Sequence, residues 1–196
     1  MIVFFDTETC GVPANYRAPL SDASNWPRMV QLGWLGWIEP GEDGLLPPDV
    51  HCSLVKPDGW TVPEAATAVH GISQEDCERD GRPLVDILSD FVEVAGRADL
   101  LVGHNIEFDL AIVGAELCRL GLEIVADSLL AIPRYCTMRS GTDLCKLPGR
   151  YGYKWPRLNE LYRELFGREP TMSHRADADV QATAECYFEM KRRGIA

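Results

Sequence analysis

Two acidic residues follow the first apolar run of the chain at a spacing that suits divalent-cation chemistry. Asp6 and Glu8 come directly after the buried strand predicted for residues 2–5, and strand alternation turns both side chains to the same side. Two carboxylates side by side repel each other unless a cation neutralises them. The pair therefore indicates a metal site. The alternative is that the strand simply emerges into water at this point.

A second acidic segment, residues 103–109, follows another short apolar run. Asp109 falls in the first turn of the next predicted helix, where the helix dipole alone favours an acid. Glu107 lies two residues earlier and therefore faces another side of that helix. Only one of these two carboxylates can point at Asp6.

A third segment, residues 173–179, opens the last predicted helix. Ser173 is a typical N-cap residue, and Asp177 and Asp179 lie in or just after the first turns. The two acids are about 200° apart around a helix, so they cannot both face one site. A lone histidine such as His174 is more often a surface or capping residue than a catalytic one.

Taken in order, these residues resemble the DEDDh branch of the DnaQ-like 3′–5′ exonucleases, a family with the ribonuclease H-like fold. The family pattern is Asp-x-Glu, a later Asp, and then His-x-x-x-x-Asp. It is matched here by Asp6, Glu8, Asp109, His174 and Asp179. Shorter fragments agree, namely Val30-Gln31-Leu32-Gly33, Val69-His70-Gly71-Ile72 and His104-Asn105 before Phe108-Asp109. The branch with Tyr in place of the histidine fits less well, because Tyr187 comes after Asp179.

The resemblance implies a mechanism with two Mg²⁺ or Mn²⁺ ions. Two divalent ions about 3.5–4 Å apart generate the nucleophile and stabilise the leaving oxygen of a phosphodiester. Asp6 would bridge both ions, while Glu8 and Asp179 would complete the first site. Asp109 would serve the second ion. His174 would take a proton from the attacking water, for which its reference pKa of about 6.5 is suitable. The expected product is a nucleoside 5′-monophosphate released from the 3′ end.

A basic segment stands out in an otherwise acidic chain. The net charge is −11, yet residues 134–157 carry six bases against one acid. This window interleaves cations with aromatic rings, the combination that single-stranded nucleic acid requires for its phosphates and bases. The predicted phosphate contacts are Lys146, Arg150 and Lys154. The alternative is an ordinary solvated loop whose aromatic rings pack on the sheet.

Three residues next to the acidic segments are also predicted to contact the substrate, namely Thr9, His104 and Asn105. For His104 the favoured alternative is a role in shaping the turn before the helix. The reason is that the sequence Gly103-His104-Asn105 is rich in residues that form turns.

The elements that must hold these residues follow an α/β pattern. Apolar runs predict strands at residues 2–5, 29–38, 51–55, 100–102 and 135–138. Helical spacing predicts a helix beginning at Ser73 and others at 83–95, 108–121, 156–166 and 175–193. A loop with three prolines joins the first two strands over residues 11–28. Together with the resemblance, this order predicts a ribonuclease H-like fold, a mixed five-stranded sheet flanked by helices.

Length and composition set the remaining expectations. A chain of 196 residues predicts one domain over residues 1–196. It has no apolar run of 18 residues and no basic segment typical of a signal peptide, so we expect no membrane contact and a cytoplasmic location. Seven scattered cysteines without a Cys-x-x-Cys pair are typical of reduced thiols. The expected partner is nucleic acid with a free 3′ end, most simply single-stranded, and a polymerase or homodimer partner stays open.

Two other classes of function also stay open: a non-catalytic nucleic-acid binding module and a hydrolase of small phosphate compounds. An idle site has no reason to keep four clustered, mutually repelling carboxylates, which argues against the first. A small substrate needs no extended basic and aromatic track, which argues against the second. DNA and RNA stay equally open as substrates, because recognition of the 2′-hydroxyl depends on geometry.

Overall fold

A five-stranded mixed sheet forms the centre of the computed structural model, which describes residues 1–38, 50–170 and 175–196. The strand order is β3-β2-β1-β4-β5. β2 runs antiparallel to both β1 and β3, whereas β1, β4 and β5 are parallel. The strands are β1 Ile2–Thr9, β2 Met29–Trp37, β3 His51–Leu54, β4 Leu100–Gly103 and β5 Arg134–Cys136. The predicted fold class is confirmed.

Helices cover both faces of this sheet. One face packs on α3, α4 and α5 through side chains such as Phe5 and Leu32, and the other packs on α9 through Phe4 and Leu35. The helices are α1 Glu64–His70, α2 Gln74–Asp80, α3 Leu84–Ala95, α4 Ile106–Arg119, α5 Glu123–Leu130, α6 Thr137–Ser140, α7 Thr142–Cys145, α8 Leu158–Phe166 and α9 Ala176–Arg192. A short hairpin of β6 Pro148–Gly149 and β7 Gly152–Tyr153 lies between α7 and α8. No helix in the described ranges is both long and apolar enough to cross a membrane.

Several element boundaries differ from the sequence-based prediction. β1 continues to Thr9, so the first acidic pair lies within the strand and not after it. β5 ends at Cys136, and the residues predicted to continue it form α6. Helices α1, α5, α6 and α7 and the β6–β7 hairpin have no counterpart in the sequence-based prediction. Each of these elements has at most eight residues, and none of the four helices has a side-chain N-cap. The sequence therefore lacks the usual signals for predicting where these helices begin.

The long loop at residues 11–28 is anchored to α4. The fully buried carboxylate of Glu116 accepts hydrogen bonds from Arg28 Nε at 3.0 Å and from the Met29 amide at 2.9 Å. Arg119 Nη2 donates to the Ala23 carbonyl at 2.9 Å. One helix therefore positions both the end of this loop and the start of β2.

Candidate active site

Strand β1 and helix α9 bring three carboxylates together on one face of the sheet. Phe4 packs against α9, and by strand alternation Asp6 and Glu8 continue along the same face. Asp6, Glu8 and Asp179 each place a carboxylate oxygen within 4.8 Å of the others. This spacing suits a bound cation.

The start of α9 reaches this position because it packs closely against β2. Gln31 is buried, and its Oε1 accepts a hydrogen bond from the Ala176 amide at 3.0 Å. A Cβ atom at Gly33 would lie 2.8 Å from both the carbonyl carbon and the oxygen of Ala176, so only glycine leaves room there. The fragment Val30-Gln31-Leu32-Gly33 thus sets the position of Asp179 one turn further along the helix.

Replacing Gly33 with Ala is expected to displace the start of α9. Overpacking of this kind costs about 1–3 kcal/mol of folding free energy. Divalent-cation affinity should fall as well, because Asp179 moves with the helix. The matched control is Gly36→Ala on the same strand, where the new Cβ would meet Val94 Cγ1 at an ordinary 3.7 Å. Thermal melts and cation titrations of both variants check this, and equal behaviour of the two would contradict the role of Gly33.

Asp109 approaches β1 from the other side of the sheet. It is only 2% exposed, and its Oδ1 accepts hydrogen bonds from the Thr7 amide at 3.0 Å and from the Thr7 hydroxyl at 2.7 Å. Thr7 points to the α4 face because it alternates with Asp6 and Glu8 along the strand. These bonds fix the carboxyl group of Asp109 beside the acidic pair.

The carboxylates disfavour one another's ionisation. Burial raises the pKa of Asp6 well above its usual value, and the charges of Asp109, Asp179 and Glu8 add to the shift. Burial, followed by the charges of Asp179 and Asp109, raises the pKa of Glu8 to about 8. Burial also raises the pKa of Asp109, although the hydrogen bonds from Thr7 oppose this. A divalent cation would relieve the repulsion, and an all-oxygen donor set fits hard cations such as Mg²⁺ or Mn²⁺.

The neighbouring acids have other partners. Glu107 Oε1 pairs with Arg134 Nε at 3.0 Å, and Asp177 Oδ1 pairs with Arg175 Nε at 3.2 Å. Of the two acids in the first turn of α4 and of α9, Asp109 and Asp179 are therefore the ones that contact or approach the acidic pair of β1. His174, the predicted general base, and Ser173, the predicted N-cap, lie outside the described residues.

The three residues predicted beside the carboxylates make contacts that shape the backbone. His104 binds protein atoms through both ring nitrogens, at 3.0 Å each. Asn105 adopts the left-handed conformation with φ 72° at the start of α4, which asparagine tolerates better than most residues. The Thr9 hydroxyl donates to the Gly11 carbonyl at 2.7 Å. Contact of these residues with substrate stays a prediction.

The basic window forms an exposed aromatic surface around the β6–β7 hairpin. The rings of Tyr151, Tyr153 and Trp155 are 90%, 52% and 60% exposed, so they do not pack on the sheet. Two of these rings have guanidinium groups over them: Arg150 lies over Tyr151 at 5.2 Å, and Arg139 over Trp155 at 5.9 Å. Two other residues of the window have partners within the protein. Lys154 Nζ pairs with Glu160 Oε1 at 2.6 Å, and the ring of Tyr135 packs against Tyr187 in the core.

Sequence reasoning did not assign roles to the residues that position the carboxylates. The sequence does indicate a role for Thr7, because this residue lies between the two acids and strand alternation turns its side chain to the opposite face. Gln31 and Gly33 belong to a fragment that matched the family, yet their contacts with α9 cross about 145 residues of chain. Such contacts become visible only once the helix and the strand are packed together.

The fold and the site together define a ribonuclease H-like protein with a four-carboxylate cluster. The sequence profile of the RNase T exonuclease family matches residues 3–187, so the chain belongs to this DnaQ-like exonuclease family. The chain is similar to the three-prime repair exonuclease 1 of Bos taurus, with 25% identity over 204 residues. That alignment covers 92% of this chain and 60% of the relative.

Solved structures of exonuclease I share the fold. One has a TM-score of 0.74 at 18% identity, and the match covers 97% of this chain and 40% of that chain. Another, E. coli exonuclease I in complex with a dT13 oligonucleotide, has a TM-score of 0.67 at 16% identity. The second match covers 98% of this chain and 41% of that chain. The chain thus spans less than two thirds of the proteins it resembles.

Proposed function

We propose that this chain is a metal-dependent 3′–5′ exonuclease that releases nucleoside 5′-monophosphates from the 3′ end of nucleic acid. The observation that carries the proposal is the meeting of Asp6, Glu8 and Asp179 within 4.8 Å, with the buried Asp109 bonded to the strand between them. Membership of the exonuclease family supports the same activity. A relative named as a three-prime repair exonuclease agrees with the direction of cleavage.

The proposed cofactor is a pair of Mg²⁺ or Mn²⁺ ions. Asp6 interacts electrostatically with Glu8, Asp109 and Asp179 and would help to hold both ions. Glu8 and Asp179 would hold one ion and Asp109 the other. When bound, these ions supply charge neutralisation at the phosphodiester, activation of water and stabilisation of the leaving oxygen.

His174 is the proposed general base. A neutral imidazole near pH 7 accepts a proton from the attacking water, because its reference pKa of about 6.5 lies close to the working pH. Attack in line with the scissile bond then expels the 3′ oxygen of the penultimate nucleotide.

The proposed substrate is a single strand with a free 3′ end. Exposed rings can stack on bases, and cations beside them can bind phosphates. Three exposed rings lie on or next to the hairpin, and two of them, Tyr151 and Trp155, have a guanidinium group over them. A structure of a protein with this fold has been solved with a dT13 oligonucleotide. Thr9 and Asn105 would contact the substrate around its 3′ end. His104, whose two ring nitrogens both bind protein atoms, would instead shape the backbone.

Replacing Lys146, Arg150 and Lys154 together with Gln is expected to flatten the salt dependence of strand binding. Each phosphate contact to a single strand contributes about 0.7 to the slope of log K against log salt, so the slope should fall by about 2. The KM on long oligomers should rise, and kcat should change much less. Dinucleotides that do not reach the hairpin should be affected least.

The matched control for this triple variant removes the same charge elsewhere. Arg97, Lys191 and Arg192 are exposed at the ends of α3 and α9, away from the carboxylates. Their joint replacement with Gln should leave the slope close to that of the wild type. Identical slopes for all three proteins would mean that the basic window does not contact the strand.

A single assay tests the proposed function. Oligomers of DNA and RNA, single- and double-stranded and labelled at the 3′ or the 5′ end, are incubated with Mg²⁺ or Mn²⁺ and with an EDTA control. We expect immediate release of the 3′ label as a mononucleotide and stepwise shortening of the 5′-labelled strand. Binding without turnover would indicate a non-catalytic module, and cleavage of small phosphate esters alone would indicate a small-phosphate hydrolase.

The two partners that stay open need separate measurements. Light scattering distinguishes a monomer from a homodimer, and addition of a polymerase to the assay tests a partnership with that enzyme.

A further inference from the structure

His104 joins three segments that the sequence keeps apart. It follows the last residue of β4, and its Nδ1 lies 3.0 Å from the hydroxyl of Thr137, the first residue of α6. Its Nε2 lies 3.0 Å from the carbonyl oxygen of Pro156. Trp155 and Pro156 form the stem that leads from the β6–β7 hairpin towards α8. The bond to Pro156 therefore anchors this stem.

The partners of these two bonds determine which ring nitrogen of His104 carries the proton. A carbonyl oxygen only accepts, so Nε2 carries the proton and donates it to Pro156. Burial lowers the pKa of His104 to about 4, which leaves the ring neutral at physiological pH. Nδ1 is then an acceptor, and the Thr137 hydroxyl donates to it at 3.0 Å, a shorter distance than the 3.3 Å to its other acceptor, the Gly103 carbonyl oxygen. Both nitrogens are engaged in holding the protein chain together.

The position of His104 places the hairpin stem beside the carboxylates. β1 and β4 pair in parallel with Phe4 opposite Val102. Asp6 follows Phe4 by two residues and His104 follows Val102 by two residues, so both lie just beyond the last pair that joins these two strands. Neighbouring strands are about 4.8 Å apart. The stem is therefore attached to the sheet next to the cluster that Asp6 helps to form.

The hairpin and its stem carry the exposed aromatic surface. The Lys154 amide donates to the Leu147 carbonyl at 2.9 Å and closes the hairpin above the stem. Arg139, two residues after Thr137, lies over Trp155. The two bonds of His104 thus hold α6 and the stem together, and with them the cation and the ring that face solvent.

We infer that His104 is a positioning residue that fixes the β6–β7 hairpin at the active-site edge, so that its aromatic rings meet nucleotides upstream of the 3′ end. This inference rests on the proposed exonuclease function. It assigns His104 an effect on the binding of long strands and none on the chemical step. The rings it positions are those of Tyr151, Tyr153 and Trp155.

The test compares His104→Ala, the conservative variant His104→Gln and Thr137→Val, which removes the hydroxyl but keeps the side-chain shape. Binding of a fluorescent 20-mer is measured by anisotropy in EDTA, together with kcat and KM on the 20-mer and on a dinucleotide. Loss of a buried hydrogen bond typically changes an equilibrium about five- to tenfold. We therefore expect His104→Ala to weaken 20-mer binding about five- to tenfold, with dinucleotide kcat within about twofold. Gln, which keeps a donor for Pro156, should recover most of the loss.

A readout independent of catalysis reports on the hairpin itself. Trypsin cleaves after Lys146, Arg150 and Lys154, and loosening of the stem should speed these cuts about fivefold or more in His104→Ala. If His104→Ala melts below the assay temperature, Thr137→Val carries the same comparison. Equal loss of kcat on dinucleotide and 20-mer, or unchanged binding and unchanged cleavage by trypsin, would overturn the inference. Failure of the wild type to degrade any oligomer would instead refute the exonuclease function, since the EDTA binding and trypsin results do not depend on turnover.

Discussion

Asp6→Asn is expected to abolish turnover while leaving the chain folded and, without metal, more stable at neutral pH. The side chain keeps its shape but loses the charge at the centre of the cluster, so divalent cations bind weakly. The same loss removes repulsion with Glu8, Asp109 and Asp179, which together with burial holds the pKa of Asp6 well above its usual value. Asp6 is proposed to help to hold both ions, so turnover in Mg²⁺ should fall to the background rate.

The pH dependence of the metal-free protein provides the second readout of this variant. The pKa of Glu8 is raised from 4.5 to about 8, so the folded state binds more protons than the unfolded state between these values. The contribution of Glu8 to the stability of the wild type is therefore fully present below about pH 4.5 and is lost as the pH rises through about 8. Asp6→Asn should weaken the overall pH dependence, because Asp6 has a raised pKa of its own and Asn does not titrate.

Melting temperatures in EDTA and in Mg²⁺, measured from pH 5 to pH 9, check these expectations. Mg²⁺ should stabilise the wild type at neutral pH and the variant much less. The control is Asp177→Asn on α9, since Asp177 pairs with Arg175 outside the cluster. The control should keep near wild-type activity and the wild-type response to Mg²⁺. Degradation of oligomers by Asp6→Asn at a near wild-type rate would show that the two-ion site is misassigned.

The sheet could be predicted because its central strands are uniformly apolar. Phe4 and Phe5 are buried on opposite faces, and the run that contains them reads as a strand covered on both sides. The ends of the strands were less predictable. Asp6 and Glu8 are polar and look like the end of β1, yet pairing with Gly33 and Gln31 continues the strand past them. Backbone pairing with a neighbouring strand outweighs local polarity here.

The candidate site was predictable where local geometry decides, and less so where packing decides. Alternation alone placed Asp6 and Glu8 on one face, and helical periodicity showed that Glu107 and Asp109 face different ways. The choice of Asp109 rests on its bonds to Thr7, 102 residues away. Likewise, no local pattern reveals that Gly33 must admit the backbone of α9.

The basic window shows the same division. Its charge and aromatic content are visible in the sequence, but exposure is not, so packing of the rings on the sheet stayed open as the alternative. The exposure of Tyr151 and Trp155, and the anchoring of the stem by His104, depend on contacts between segments far apart in the chain. Whether these rings bind a strand is what the salt-slope and positioning experiments measure.

His174→Ala is expected to lower kcat by about 10²–10⁴, the usual contribution of a general base. Divalent-cation affinity should barely change, because His174 is proposed to accept a proton and not to bind metal. Asp179→Ala, by contrast, should weaken both cation binding and turnover, since Asp179 belongs to the cluster of carboxylate oxygens. Calorimetric titration with Mn²⁺ beside single-turnover kinetics separates the two roles.

The pH profile of kcat distinguishes a proton acceptor from a residue that only supports the local backbone. In the wild type, kcat should fall on the acid side as the imidazole becomes protonated near its reference pKa of about 6.5. His174→Ala should lose that acid limb and become nearly independent of pH at saturating metal, whereas His174→Gln should be as slow as Ala because an amide does not accept the proton. A substitution that merely loosened the backbone would lower kcat at every pH and keep the limb. Loss of Mn²⁺ binding in His174→Ala as severe as in Asp179→Ala would instead place this histidine among the metal ligands.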